Sequence, residues 1–363
     1  MTRRLALLGA LCLVPVAAPA LSAQVTPQQS DLIASLVAKF LTRWPAPAVS
    51  VAVWDGQGPI WTRAWGKANV ENDVPATPRT VFRLASISKP FTAVAVLRLV
   101  EMGQLDLDVP VRKYMPKLPK RKWPITVRQL LCHQSGIRHN RVTDYGNTRH
   151  FASPTAALEL FAKDPLLFEP GTNTSYSTFG YVLLGALIEA VTRKPYAEFV
   201  HDEVLAPAGI ENLRPDDVFA IIPHRASGYR LRPDGALENC SLVDLSHKLP
   251  GGGWLGTAEE PVRLVRALSR GRILKDDTRT LMWTPQRLKN GTLTGFGLGW
   301  IIAAEHGLHV IEHSGGQQGF SSHLVFAPDR HLAVAVLVNL EEGGAKNLAL
   351  DILLALASPL APH

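Results

Sequence analysis

The sequence predicts an α/β (α+β) protein: an antiparallel sheet built from both chain ends, flanked by helices, with a mostly helical domain between. Three observations lead there. Runs rich in β-branched and aromatic residues stand near both ends of the chain, the strands near the C-terminal end are joined by short connections, and the long middle segment carries helical spacing broken by Pro/Gly-rich loops. This assigns residues 24–104 and 254–363 to the sheet domain and 105–253 to the helical one.

Taken in order, residues Ser30 to Arg43 place Leu32, Ile33, Leu36, Val37, Phe40 and Leu41 on one helical face. Ala48 to Trp54 and Pro59 to Trp65 surround Asp55-Gly56 and read as a hairpin. The middle segment has helical patterns at Val127 to Leu131, Pro154 to Lys163, Ser177 to Val191 and Ala197 to Leu205. Thr257-Ala-Glu-Glu260 has the form of a capping box opening a helix from Val262 to Leu268. Four strands follow, at Phe296 to Ala303, Leu308 to His313, Ser322 to Ala327 and Leu332 to Asn339, and a helix from Ala345 to Leu356 comes last.

Residues 1–23 are expected to lie outside the fold. Arg3 and Arg4 precede an uncharged run from Leu5 to Ala23 that ends in Ser22-Ala23, the layout of a secretory signal peptide. The run is also long enough for an uncleaved anchor, but Pro15, Pro19 and the small-residue end favour cleavage. The expected location is therefore exported, periplasmic or extracellular, with no membrane span after cleavage. Cys132 and Cys240 are expected to be free thiols.

Composition narrows the function. Of 363 residues, 46% are apolar and 19% charged, which suits a globular chain, and 38 Lys plus Arg against 31 Asp plus Glu give a net charge of +7. No basic tract is long enough to indicate nucleic-acid binding. The local cluster Lys113, Lys117, Lys120, Arg121 and Lys122 reads as a solvated loop in preference to an anchor for an anionic surface. The histidines, including His306 and His309, lack metal-ligand spacing, and no G-x-S-x-G elbow occurs. Neither a metal nor a cofactor is expected.

The chemistry points to Ser86-Ile-Ser-Lys89-Pro90, which runs into the apolar stretch from Phe91 to Met102. Proline is tolerated only in a helix's first turn, so a helix begins near Ser86 and carries Lys89 on the same face. A serine there has backbone N–H groups and the positive end of the helix dipole beside it. A lysine shielded by apolar neighbours has its pKa lowered and can share the serine's proton. Ser-x-x-Lys alone is a weak signal. Tyr176-Ser-Thr178 at the start of the next apolar helix and His313-Ser-Gly-Gly316 after a strand add to it.

Together, Ser86-x-x-Lys89, Tyr176-x-Thr178 and His313-Ser314-Gly315, separated by 90 and 137 residues, resemble the ordered motifs of the penicillin-recognising serine hydrolases. The similar branch holds class C β-lactamases, D-alanyl-D-alanine carboxypeptidases and related esterases. Leu130-Leu-Cys-His-Gln-Ser-Gly136 and Gly251-Gly-Gly-Trp254 extend the resemblance, which covers about residues 30–355 and is especially close to the LACTB-like group.

The resemblance implies the β-lactamase / penicillin-binding-protein-like transpeptidase fold and an exported serine hydrolase that cleaves an amide or ester through a Ser86 acyl-enzyme. It makes Lys89 the proton partner, Tyr176 the relay to the leaving group and later a group that helps to activate water, base work for which Lys89 and His313 would lower its phenol pKa, and the backbone N–H groups of Ser86 and Gly316 the oxyanion hole. Thr178, Ser314 and Gly315 would line the substrate, a small molecule or peptide. Thr178 stands where many relatives have Asn, and His313 where many β-lactamases have Lys. Both departures suit a peptidase or esterase at least as well as a β-lactamase. The alternatives are a class C-type β-lactamase and a penicillin-binding sensor that acylates without efficient turnover.

Overall fold

The computed structural model describes residues 25–357, so the signal-peptide assignment of residues 1–23 lies outside the described residues. Seven strands form one antiparallel sheet: β1 (Ala48–Trp54), β2 (Trp61–Asn69), β3 (Val74–Pro75), β4 (Ile301–Glu305), β5 (Leu308–Gln317), β6 (Phe320–Ala327) and β7 (Leu332–Val338), in the order β3-β2-β1-β7-β6-β5-β4. The central pair joins the chain's two ends, with Val49 opposite Val338 and Val53 opposite Val334. The expected sheet of both termini is present.

Both central strands are apolar on both faces because both faces are covered. Val49, Val51, Val53, Val334, Val336 and Val338 pack against helices α1 (Pro27–Arg43) and α5 (Ala345–Ala357), meeting Ile33, Val37, Leu348 and Ile352. The alternate residues Ala48, Ala52, Ala333 and Ala335 face the larger core of helices α2 (Ser88–Glu101), α3 (Thr178–Thr192) and α4 (Glu259–Ser269). The strand period of two thus sorts valines to one layer and the alanines to the other, where α4 packs directly on β1 and β7. Helix α2 is buried almost all round, as its uniformly apolar sequence requires.

Several boundaries differ from expectation for local reasons. The strand expected from Phe296 begins at Ile301, because Gly297 passes tightly against the Met282 carbonyl and Gly299 against α2, where a Cβ would collide with Ala93. The helix expected from Ala197 to Leu205 is Tyr196–Val200, then a π turn His201–Leu205, then Ala206–Ala208. Pro207 explains the π turn, since it offers no N–H and its ring clashes with the carbonyl one turn back. The segment Pro154 to Lys163 is helical only over Pro154–Ala157, followed by a 3-10 turn at Leu158–Leu160. The capping box at Thr257 does not form. Ala258 is the N-cap of α4, and the Thr257 hydroxyl donates to the Glu260 carboxylate.

Cys132, buried, and Cys240, half-buried, are free thiols, and burial pushes the Cys132 thiol up to about 12. In the basic cluster the lysines are exposed, while Arg121 is half-buried and donates to the Ala162 and Asp164 carbonyls. Among the described residues no helix is long and apolar enough to cross a membrane.

Asn339, fully buried, ties the two chain ends together. Its Oδ1 accepts from the Ala48 N–H at 2.6 Å, and its Nδ2 donates to the Lys67 and Ser227 carbonyls, each at 3.1 Å. Asn339→Ala leaves three buried backbone groups unpaired and is expected to lower stability by about 3 kcal/mol or more. Urea unfolding checks this as a lower midpoint at unchanged slope.

Candidate active site

The short strand Phe82–Arg83 pairs with Trp254–Gly256 and delivers the chain to a 3-10 turn, Ala85–Ile87. Ala85 has φ +49°, a left-handed conformation that an alanine adopts at some cost and that places Ser86 at the mouth of α2. The α-helix itself begins at Ser88, two residues later than expected, and Pro90 still falls in its first turn. Ser88 locks the junction: its Oγ donates to the Ala85 carbonyl at 2.6 Å and accepts from the Trp254 N–H at 3.3 Å.

Lys89 is fully buried and reaches Ser86 Oγ at 3.0 Å. Its Nζ also donates to the Gly251 carbonyl at 2.6 Å and to Thr178 Oγ1 at 3.3 Å. No carboxylate pairs with it among the described residues. Burial, and then the positive charge of Lys248, hold its pKa well below the usual 10.5. In the neutral amine two hydrogens satisfy Gly251 and Thr178, and the lone pair is left for the Ser86 hydroxyl proton.

The glycine run expected as a family mark has a physical purpose here. A Cβ on Gly251 would lie 2.7 Å from Thr178 Cγ2, so only glycine brings this carbonyl to Lys89. The segment is held from behind by Thr92, whose hydroxyl donates to the Pro250 carbonyl at 2.6 Å.

Tyr176 lies beside Ser86, which acts to lower its pKa, and its ring centroid is 4.7 Å from Lys89 Nζ. His133 lies tilted against it with ring centroids 4.4 Å apart, and His139 meets it edge-on at 5.4 Å. His133 Nδ1 accepts the Ser177 N–H and His139 Nδ1 the Thr178 N–H, so both rings also fix the start of α3. The expected lowering of the Tyr176 pKa is not what the structure gives. Burial dominates and pushes the phenol up, so Tyr176 stays protonated.

His313 is buried, and its Nδ1–H donates to the Ser314 carbonyl at 2.7 Å. Burial and Lys89 push its pKa down to about 3, so the ring is neutral and presents Nε2 as an acceptor. Its centroid is 6.1 Å from that of Tyr176. Strand β4 pairs with β5 only as far as Glu312, which leaves His313 to Gln317 paired on the β6 side alone. This is the bare edge expected around Ser314, Gly315 and Gly316. Gly315 lets the strand pack against the Ser86 turn, because a Cβ there would lie 2.6 Å from the Leu84 carbonyl. The Ser314 hydroxyl bonds His323 Nδ1 at 2.9 Å, and Ser314 lines a cavity of about 400 Å³ with Gly315 and Gly316.

The structure therefore brings Ser86, Lys89, Tyr176 and Thr178 into mutual contact and sets the His313–Gly316 edge beside them. His139 and Lys248 also belong to this shell and were not foreseen. Their sequence contexts carry no motif. No group of three His, Cys, Asp or Glu side chains among the described residues could hold a metal ion.

With Lys89 as the proton acceptor, labelling of Ser86 by a fluorophosphonate should accelerate with rising pH as Lys89 loses its proton, with a midpoint well below 10.5. Lys248→Met removes a like charge, so that midpoint should move upward. Labelling rates across pH for both proteins check the direction.

A family profile described as beta-lactamase matches residues 33–358. The human serine beta-lactamase-like protein LACTB, mitochondrial, is 27% identical, over 85% of this chain and 76% of its own length. Penicillin-binding protein 4* of Bacillus subtilis (strain 168) is 28% identical, over 81% of this chain and 68% of its own. The D-aminopeptidase of Gluconobacter oxydans (strain 621H) is 26% identical, over 92% and 63%. Among solved structures, the octameric penicillin-binding protein homologue from Pyrococcus abyssi superposes with a TM-score of 0.77 at 26% identity, over 90% of this chain and 77% of that one. The chain belongs to the beta-lactamase family, that of the penicillin-recognising serine hydrolases.

Proposed function

We propose that the protein is an exported hydrolase that cleaves an amide or ester bond of a small molecule or peptide through a Ser86 acyl-enzyme. The observation that carries this reading is the Lys89 amine, fully buried, without a carboxylate partner, 3.0 Å from Ser86 Oγ. Export rests on the signal-like layout of residues 1–23.

Lys89 takes the Ser86 proton as Oγ bonds to the carbonyl carbon, and the backbone N–H groups of Ser86 and Gly316 receive the oxyanion. When the scissile C–N or C–O bond breaks, the protonated Tyr176 donates its proton to the leaving atom and recovers one from the Lys89 ammonium. Water then attacks the acyl carbon, giving its proton to Lys89, and the Oγ–C bond breaks as the Lys89 ammonium returns that proton to Ser86 Oγ, releasing the acid. The base is thus Lys89 and the acid Tyr176, a division favoured by the opposite directions in which burial moves the two groups.

A neutral His313 offers no cation to a substrate carboxylate at its end of the edge. This favours a peptidase or esterase over a dedicated β-lactamase.

On p-nitrophenyl esters, Ser86→Ala is expected to abolish turnover, and Tyr176→Phe to lower kcat by about 10²- to 10⁴-fold. Intact mass after mixing with a β-lactam separates the related activities. A lasting adduct on wild type but not on Ser86→Ala means peptidase-like or sensor behaviour. Drug loss without an adduct means a β-lactamase and overturns the preference stated here. No ester turnover by the wild type removes the esterase reading.

A further inference from the structure

The basic cluster Lys113 to Lys122 has no part in the chemistry above, yet two of its members border a cavity. The cavity, of about 340 Å³, is enclosed by the loop 110–125, the segment 158–162 and helix α3. Small-molecule pockets span about 300–1,000 Å³. Its walls include Val111, Ile125, Ile137, Phe161 and Leu183, none more than 5% exposed. Arg112, Lys120 and Arg121 bring the charge, and no Asp or Glu among the described residues lines the cavity. Apolar walls of this kind hold water poorly and are covered favourably by hydrocarbon.

The loop is braced in a way that keeps the space open. Pro110, Pro119 and Pro124 fix the backbone at three points of the lining. Arg112 donates to the Leu118 carbonyl at 2.8 Å and the Pro116 carbonyl at 3.1 Å, folding the loop on itself. Arg121 donates to the Ala162 carbonyl at 2.7 Å and the Asp164 carbonyl at 2.5 Å, which ties the loop to the opposite wall. Carbonyls satisfy these donors without cancelling their charge.

The acids nearby are engaged elsewhere. Asp164 acts on Arg121, but its carboxylate is bound to Arg138 at 2.5 Å and to Arg141 at 3.5 Å. An adjoining depression shares Leu118 and Ala162 and sets Lys117, Lys163 and Arg193 against Glu159 and Glu189. Glu159 pairs with Arg149, and Glu189 accepts from the Thr155 N–H at 3.2 Å. Lys120 is exposed and has no carboxylate partner among the described residues. The mouth is therefore cationic over an apolar interior, the complement of an anionic amphiphile. Because the walls are recessed, a ligand enters as a single chain and not as the face of a bilayer.

We infer that this cavity binds a free fatty acid, with its chain among Val111, Ile125, Phe161 and Leu183 and its carboxylate at Lys120 and Arg121. The site is separate from the Ser86 cleft: Leu183 stands two residues past Tyr181, whose ring faces Lys89, and so lies on the other side of α3. The inference does not depend on the acyl-enzyme reading.

The test is calorimetric titration of the full chain with dodecanoate below its micelle concentration, alongside dodecyltrimethylammonium, which has the same chain and the opposite charge. Wild type should bind one dodecanoate and hold the cationic analogue at least 10-fold more weakly. Ala162→Phe, which fills the cavity, should weaken dodecanoate binding at least 10-fold, and Lys120→Glu roughly 3- to 10-fold. Blocking Ser86 with a fluorophosphonate should leave the binding unchanged. Absence of binding to wild type, equal affinity for the two amphiphiles, or full affinity in Ala162→Phe overturns the inference. So does loss of binding on blocking Ser86, which would put the acid in the catalytic cleft, and so does binding to phosphatidylglycerol vesicles without binding of free dodecanoate. Should Ala162→Phe fail to fold, the exposed Lys120→Glu variant and the comparison of the two amphiphiles remain decisive.

Discussion

Holding the Lys89 amine out of water next to Ser86 sets the conditions that the surrounding elements meet. An ammonium in water would not accept the serine proton, and an ammonium paired with a carboxylate would be held charged. The protein avoids both. Helix α2 is apolar on nearly every side, so no solvent reaches the lysine along its own helix. Around the amine stand a carbonyl, a hydroxyl and two aromatic faces, Tyr176 and Tyr181, but no anion. The nearby positive charge of Lys248 adds to burial instead of opposing it.

That environment demands close backbone approach from three directions, and small residues provide it. Gly251 brings its carbonyl past Thr178, Gly315 brings β5 onto the Ser86 turn, and Ala85 bends the chain at a positive φ. The sheet supplies the rigidity that these approaches need. Its central strands are buried on both faces, and β6 supports β5 through the catalytic edge while β4 stops short at Glu312. Pairing on one side and none on the other produces a strand that is firm yet open to a ligand's backbone.

Much of this was legible in the residues themselves. β7 announces its double burial by an unbroken apolar sequence and β1 by one interrupted only at Ser50, and Pro90 fixes the phase that puts Ser86 and Lys89 on one face. The π turn before Pro207 follows from the proline's missing N–H, though periodicity alone reads the segment as continuous helix. The motifs place charges near Tyr176 and so suggest a lowered phenol pKa, while the amount of burial is a tertiary quantity and it dominates. His139 and Lys248 carry no motif, and each acquires its meaning only from neighbours far away in the chain, Thr178 and Lys89.

The sheet's central pair also governs when the protein becomes an enzyme. Val49 in β1 finds its partner, Val338, only after nearly all of the described chain has been made. Helices of the middle segment form from local contacts, but β1 has no place beside β7 before that strand exists, and β5 and β6 are likewise late in the sequence. A ribosome-bound or truncated chain ending before residue 308 therefore carries Ser86 and Lys89 without the β5 edge beside them, and one ending before residue 332 lacks the β7 strand that joins β6 to β1. The cleft is therefore complete only when the C-terminal strands are in place, so a C-terminal truncation removes a wall of the cleft while leaving the Ser86–Lys89 pair in the sequence.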